Sequence, residues 1–350
     1  MRKTRRRLAR GFVAIITLVS LAVSVIILTG SGQYVPRINE YSSYEIAVHP
    51  PSADYIYPLA NYSLVRGSET VGLFSRVGFQ HFESGIEFEG VTTISHTDQY
   101  GVLHIHEMPS TVIEYSALDA NSMKFELTGG TGAIKKGSAV MVGSEDASGV
   151  MVMAGGATAS ITNQDVVFAM PAGSTVIFRA DTPLDPAVGS AVADGLVSAE
   201  MYILNSGGEW EVGWDTVSFD STDMWTVAAS EEKVDVQVLG DSAQKAVVLH
   251  VSDSYLDYGS VDDLRVTLDG EKVSLGAGMS ETLWGTGDEA SYFASKTDQG
   301  YDVVVYIPQN ADSVISIAGP EPELGVDGLV TLLAAIGIVG VAVVALIKTD

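Results

Sequence analysis

Apolar and polar side chains alternate over many short stretches of this chain, and long apolar runs occur only near its two ends. Met123, Phe125 and Leu127 alternate with Lys124, Glu126 and Thr128, which puts three apolar side chains on one face of a strand. Val234, Val236 and Val238 alternate in the same way with Lys233, Asp235 and Gln237, and Trp210, Val212 and Trp214 alternate with Glu209 and Glu211. Between positions 129 and 181, glycines or the Asn163-Gln164-Asp165 triplet interrupt the pattern about every eight to twelve residues, the spacing of a sandwich, roll or barrel. Further strands are predicted at 245–251, 263–268, 271–275, 291–295, 301–307 and 313–318. Leu268-Asp269-Gly270-Glu271 sets Asp-Gly between two of these, a hairpin signal. Between the ends, a short helix competes seriously only at 184–200.

The ends read differently. Residues 1–10 carry six cations, Arg2, Lys3, Arg5, Arg6, Arg7 and Arg10, and an apolar run follows to Leu28. Residues 328–347 (GLVTLLAAIGIVGVAVVALI) contain no charge and would span about 30 Å as a helix. Positive flanks resist translocation, so the chain after Gly30 is expected outside the cytoplasm, with both termini inside if the first segment stays uncleaved. That segment has the basic and apolar regions of a signal peptide, but its run is long and no A-x-A-like site follows, which favours a retained signal-anchor. The arginine pair Arg5-Arg6 also fits a twin-arginine export signal, although a redundantly basic tail explains it as well.

The expected layout is an all-β exterior, a β-sandwich or roll plus a smaller immunoglobulin-like sandwich, flanked by two transmembrane helices. Its parts are a basic tail (1–10), a first membrane helix (11–30), an extended Pro/Tyr-rich lead-in (31–60) and a β-rich domain (61–229). A polar break at Ser230-Glu231-Glu232 then opens an immunoglobulin-like sandwich (230–318). An acidic Pro/Glu spacer (319–327), a second membrane helix (328–347) and a short cytoplasmic tail (348–350) complete the chain. The tyrosines of the lead-in suit either the lipid headgroup level or packing on the first domain. The layout resembles single-pass surface proteins of archaea and bacteria in general.

Composition sharpens the picture. Without the six tail cations, Lys348 and Asp350, the chain holds 12 basic and 43 acidic residues. Such a field repels polyanions, which excludes nucleic acid as a partner of the exterior and favours cations or basic proteins. The absence of cysteine removes thiol catalysis, Fe–S clusters and disulfides, so packing alone must hold the exterior together.

Candidate chemistry is sparse. His104 and His106 share one face of a predicted strand, and with His96, His81, Glu107 or Glu114 they have the donor types of a transition-metal site. Their spacing resembles the His-x-His of cupin barrels, but Glu107 falls too close and Glu114 too far for the carboxylate expected there. Asp253, Asp257, Asp262 and Asp263 supply oxygen ligands suited to Ca²⁺, at a spacing unlike an EF-hand. Asn61-Tyr62-Ser63 makes Asn61 a glycosylation acceptor. The tryptophans suit either a sugar platform or core packing. No nucleophile elbow, phosphate-binding loop or dinucleotide fingerprint is present, so no catalytic residue and no resident cofactor are assigned. The expectation is a non-catalytic envelope protein with an adhesive, structural or assembly role among other envelope proteins. The alternative is a metal-dependent extracytoplasmic enzyme or a metal- or solute-binding protein built on the His104/His106 face.

Overall fold

The computed structural model describes residues 35–38, 42–46, 54–66, 69–83, 87–89, 92–181, 186–206, 212–230, 232–240, 243–256, 259–309 and 312–319. The apolar segments at 11–30 and 328–347 lie outside these residues. No helix among the described residues is long and apolar enough to cross a membrane. The chain divides into two compact units, residues 1–194 and 195–350, and the described residues of both are mostly β-strand with a few short helical turns.

In the first unit, seven antiparallel strands run in the order Val35–Ile38, Ser42–Ile46, Ile56–Arg66, Glu69–Phe79, Asn121–Leu127, Asp165–Met170 and Thr158–Ile161. Eight more form a second antiparallel sheet: Gly132–Lys136, Ala139–Gly143, Ser148–Ala154, Thr175–Ala180, Val112–Ala117, Gly101–His106, Thr93–Thr97 and Glu87–Glu89. The alternation read in the sequence is the cause of the sandwich, because Met123, Phe125 and Leu127 all turn inward. Around Phe125 the core is aromatic. Phe74 meets Phe178 at 4.8 Å and Phe125 at 4.9 Å between ring centroids, both edge to face, the arrangement that ring quadrupoles favour. The stretch expected as an extended lead-in supplies strands of the first sheet instead, and Tyr44 and Tyr57 are buried in this unit.

A short helix, Pro186–Ala193, falls within the stretch where the sequence predicts one. It packs on the Ser148–Ala154 strand. Close approach there requires glycine: a Cβ on Gly189 would collide with Asp181 Oδ1. Asp181 cannot simply swing away, since Ser148 Oγ donates to its Oδ2 at 2.8 Å and buried Arg179 holds its Oδ1 at 3.3 Å.

The second unit pairs a six-stranded sheet with a five-stranded one. The first runs Val212–Ser218, Val197–Asn205, Ala243–Ser252, Gly300–Gln309, Ser291–Thr297 and Ser274–Leu275. The second runs Asp223–Ser230, Lys233–Leu239, Ser313–Ala318, Arg265–Leu268 and Glu271–Lys272. Met201, Ile203, Leu249, Val303 and Val305 face Val236, Val238, Ile315 and Ile317 across the core. Two pairings are parallel, Val197–Asn205 with Ala243–Ser252 and Ser274–Leu275 with Ser291–Thr297, which sets this sandwich apart from an antiparallel immunoglobulin pattern. The predicted Asp-Gly hairpin is present: Leu268 pairs with Glu271, and Asp269 and Gly270 take φ of 53° and 82°, as a type I′ turn demands.

The division between units replaces the boundary expected at 229/230. Ser230-Glu231-Glu232 is not a linker, because the strands on either side of it, Asp223–Ser230 and Lys233–Leu239, are antiparallel partners. The residues from 195 to 229 therefore belong to the second sandwich, and the helix 186–193 precedes the division.

Gly189→Ala separates local propensity from packing. Alanine in a helix interior is favoured over glycine by about 1 kcal/mol, whereas overpacking a fixed neighbour costs about 1–3 kcal/mol. Thermal unfolding of the variant should show a lower midpoint than the parent; a higher midpoint would mean that Asp181 is not held as described.

Candidate functional site

His104 and His106 lie on the Gly101–His106 strand, with Glu114 directly opposite His104 on the neighbouring strand. Their rings are 5.8 Å apart, and His106 Nε2 stands 3.7 Å from Glu114 Oε2. His96 does not join them. It pairs in register with Leu103, whose side chain is in the core, so it occupies the opposite face, with its ring 4.4 Å from Phe82 and its Nε2 3.5 Å from Asp98 Oδ2. His81 stacks on Tyr100. Glu107 is engaged by Arg37, at 3.2 Å to each oxygen, and by the Tyr44 hydroxyl at 2.8 Å. Among the described residues no group of three or more His, Asp or Glu is placed to hold a metal ion.

The described aspartates considered for calcium form no group placed to hold an ion. Asp253 is an exposed turn residue, while Asp262 and Asp263 sit on a 3-10 turn, Val261–Asp263, whose start is capped by Ser260. Asp257 lies outside the described residues. Asn61 is exposed at a bulged point of the Ile56–Arg66 strand with φ of 53°, a conformation that asparagine tolerates better than most residues.

One cluster was not singled out by sequence reasoning. Glu200, His250 and Asp302 come from three adjacent strands of the six-stranded sheet, on the face opposite Met201, Leu249 and Val303. His250 Nδ1 is 2.6 Å from Asp302 Oδ1 and its Nε2 is 2.5 Å from Glu200 Oε1, with all three side chains buried. Burial alone would lower the imidazole pKa, but the Asp302 and Glu200 carboxylates outweigh it and push the value up to about 10. With both ring nitrogens occupied, His250 can serve neither as metal ligand nor as base; it is a cation clamped between two anions. A sequence signal existed. Each of the three sits in or beside a largely apolar run, 197–204, 246–251 and 303–307, and a fully buried charge requires a partner.

The feature most suited to function is a free flank of the second sandwich. Val212–Ser218 closes one sheet and Asp223–Ser230 the other, and each has a strand partner on one side only among the described residues. Thr216 Oγ1 donates to Met224 O at 3.2 Å, tying the two together. Trp214 is 48% exposed, Trp225 37% and Val227 48%, and Leu239 on the neighbouring strand is 44% exposed. These are four of the eight exposed large apolar side chains among the described residues, so exposure is concentrated here rather than scattered. The edge strand also bulges at Val227, between the Thr226 and Ala228 pairings, a device that discourages indiscriminate strand addition.

No protein-family model and no curated protein matches the chain. Among solved structures, it is similar to a family 81 glycoside hydrolase from Clostridium thermocellum, with TM-score 0.36 and 9% identity over 82% of this chain and 36% of that one. It is also similar to a polysaccharide lyase, with TM-score 0.23 and 11% identity over 84% of this chain and 47% of that one. The chain thus spans less than half the length of each, and likenesses this low carry no argument.

Because the folded-state pKa of His250 is raised, its contribution to stability is fully present below the ordinary histidine value of 6.5 and is lost as pH rises through about 10. His250→Gln should lose about 3–5 kcal/mol near neutral pH, the usual cost of breaking a buried ion pair. Denaturant titrations of both proteins across pH should show that gap shrinking as pH rises from about 6.5 towards about 10; a gap indifferent to pH over that range would contradict a clamped imidazolium.

Proposed function

We propose that this protein is a membrane-anchored, non-catalytic constituent of the cell envelope, which assembles with another surface protein through the 212–230 flank of its second unit. The observation that carries this reading is the concentration of exposed Trp214, Trp225 and Val227 on two open edge strands, with exposed Leu239 on the strand beside them. An acidic chain that leaves two tryptophans on one flank keeps an apolar surface where water would otherwise disfavour it, and aromatic anchors of this kind dominate protein interfaces. Exposed Asp223 and Glu232 flank the edge strand, so the complementary surface is apolar with lysines or arginines around it. The bulge at Val227 interrupts a continuous backbone ladder, which leaves the side chains to supply most of the contact.

The sequence supports the address. The apolar segments 11–30 and 328–347 would anchor the chain at both ends, with the residues between them outside the cytoplasm and the termini inside. Attachment at both ends would keep the sandwiches near the bilayer, which suits a subunit of a membrane complex better than a long-reaching adhesin.

Trp225→Glu and Val227→Glu test the assembly surface, since substitutions at exposed positions change stability by only about 0.5 kcal/mol. The full chain, extracted from its native membrane in mild detergent, should run in native electrophoresis as part of a larger complex. The two variants should run at the monomer position with an unchanged melting temperature. A parent chain that is itself monomeric, or variants that keep the parent's mobility, would overturn the proposal.

A further inference from the structure

The outer face of the seven-stranded sheet carries a polar network that neither unit's core requires. Arg76, Glu126 and Asp165 sit directly opposite one another on three neighbouring strands, and Lys124 shares their face two residues before Glu126. Glu126 is the hub. Its Oε2 accepts from Arg76 Nε at 2.8 Å and lies 2.7 Å from the Arg76 Nη2, while its Oε1 accepts from the Tyr57 hydroxyl at 2.7 Å and lies 3.1 Å from Lys124 Nζ. Lys124 also reaches Asp165 at 3.4 Å. Arg76 is held over the Tyr57 ring, 4.4 Å from its centroid. That ring in turn lies where any side chain at Gly78 would have to go.

This network forms the floor of a cleft of about 650 Å³, within the range of small-molecule sites. Two tight turns make its rim. Thr131 N–H donates to Thr128 O across Gly129-Gly130, where Gly130 takes φ of 90°, and Thr162 N–H donates to Asp165 O across Asn163-Gln164. Leu127 N–H donates to Gln164 O at 2.7 Å, fixing one turn against the other. The walls are therefore set by backbone hydrogen bonds before any ligand arrives. The side-chain amides of Asn163 and Gln164, exposed on the rim, make no hydrogen bond to the described residues.

We infer that this cleft binds a neutral oligosaccharide. Two cations and two carboxylates leave its lining without net charge, in a chain whose formal charge is −25. An anionic ligand would meet Glu126, Asp165 and the surrounding acidic field, and a cation would meet Arg76 and Lys124. Sugar hydroxyls avoid both penalties, because each can donate to a carboxylate or amide oxygen and accept from a guanidinium, ammonium or amide N–H. The rigid rim limits the ordering cost that weakens most saccharide binding. This site belongs to the first unit and is independent of the assembly flank of the second.

The test is calorimetric titration of the full chain in detergent with cellohexaose, hexa-N-acetylchitohexaose and mannohexaose, with hexagalacturonate and a chitosan (glucosamine) hexamer as charged controls. At least one neutral hexamer should bind more tightly than either control. Asn163→Ala and Gln164→Ala, which leave the Glu126 network intact, should each weaken that binding about tenfold, the equivalent of one good hydrogen bond. No neutral hexamer binding up to about 10 mM, tighter binding of a charged control, or neutral binding indifferent to both rim substitutions would each overturn the inference.

Discussion

Apolar contact between two sheets is the constraint on which everything else in this protein rests, because the chain has no cysteine to staple either unit. In the first unit that contact is aromatic: Phe74 meets Phe125 and Phe178 edge to face at the centre. In the second it is aliphatic, built from Val, Ile and Leu on facing strands. Both cores demand strict alternation along their strands, since slipping a strand by one residue would turn every core side chain to the other face. The outer faces are then free to carry polar groups, and the features with functional interest sit on those faces and at the open edges.

In the second unit the six-stranded sheet departs from this division. Its second face is also buried around Val248 and Val304, and three ionisable side chains are enclosed there. The Glu200, His250 and Asp302 cluster meets the requirement that a buried charge be paired. It also joins a parallel pairing to an antiparallel one, so the side chains meet only if all three strands keep their register. A buried network of this kind favours one strand arrangement over its alternatives, whatever its net contribution to stability.

Much of the architecture was legible in the sequence, and the misses have physical causes. The period-two pattern at 123–127 and 234–238 identified core strands correctly because one face of each is buried and the other polar. Asp269-Gly270 identified its hairpin because both residues tolerate positive φ. The unit boundary was misread because a turn between paired strands and a linker between domains share the same polar composition at Ser230-Glu231-Glu232. Trp214 was as readable for a core position as for a surface, and only the structure shows that the edge strand leaves it in solvent. His104 and His106 were rightly placed on one face, but the partner expected of His96 failed because register assigns it to the other face of the sheet. The cleft beside Glu126 had no local signature, since its four charged residues come from three strands far apart in sequence.

The central functional claim is that the 212–230 flank is covered by a partner in the envelope. Hydrogen–deuterium exchange of the edge strand, compared between native membranes and the purified chain, tests it most directly. Amides of residues 223–226 not bonded to the Lys233–Leu239 strand should exchange quickly in the purified chain and markedly more slowly in the membrane, while core strands stay unchanged. Equal exchange in both settings would mean that the flank is bare in the envelope, and the assembly role would fall.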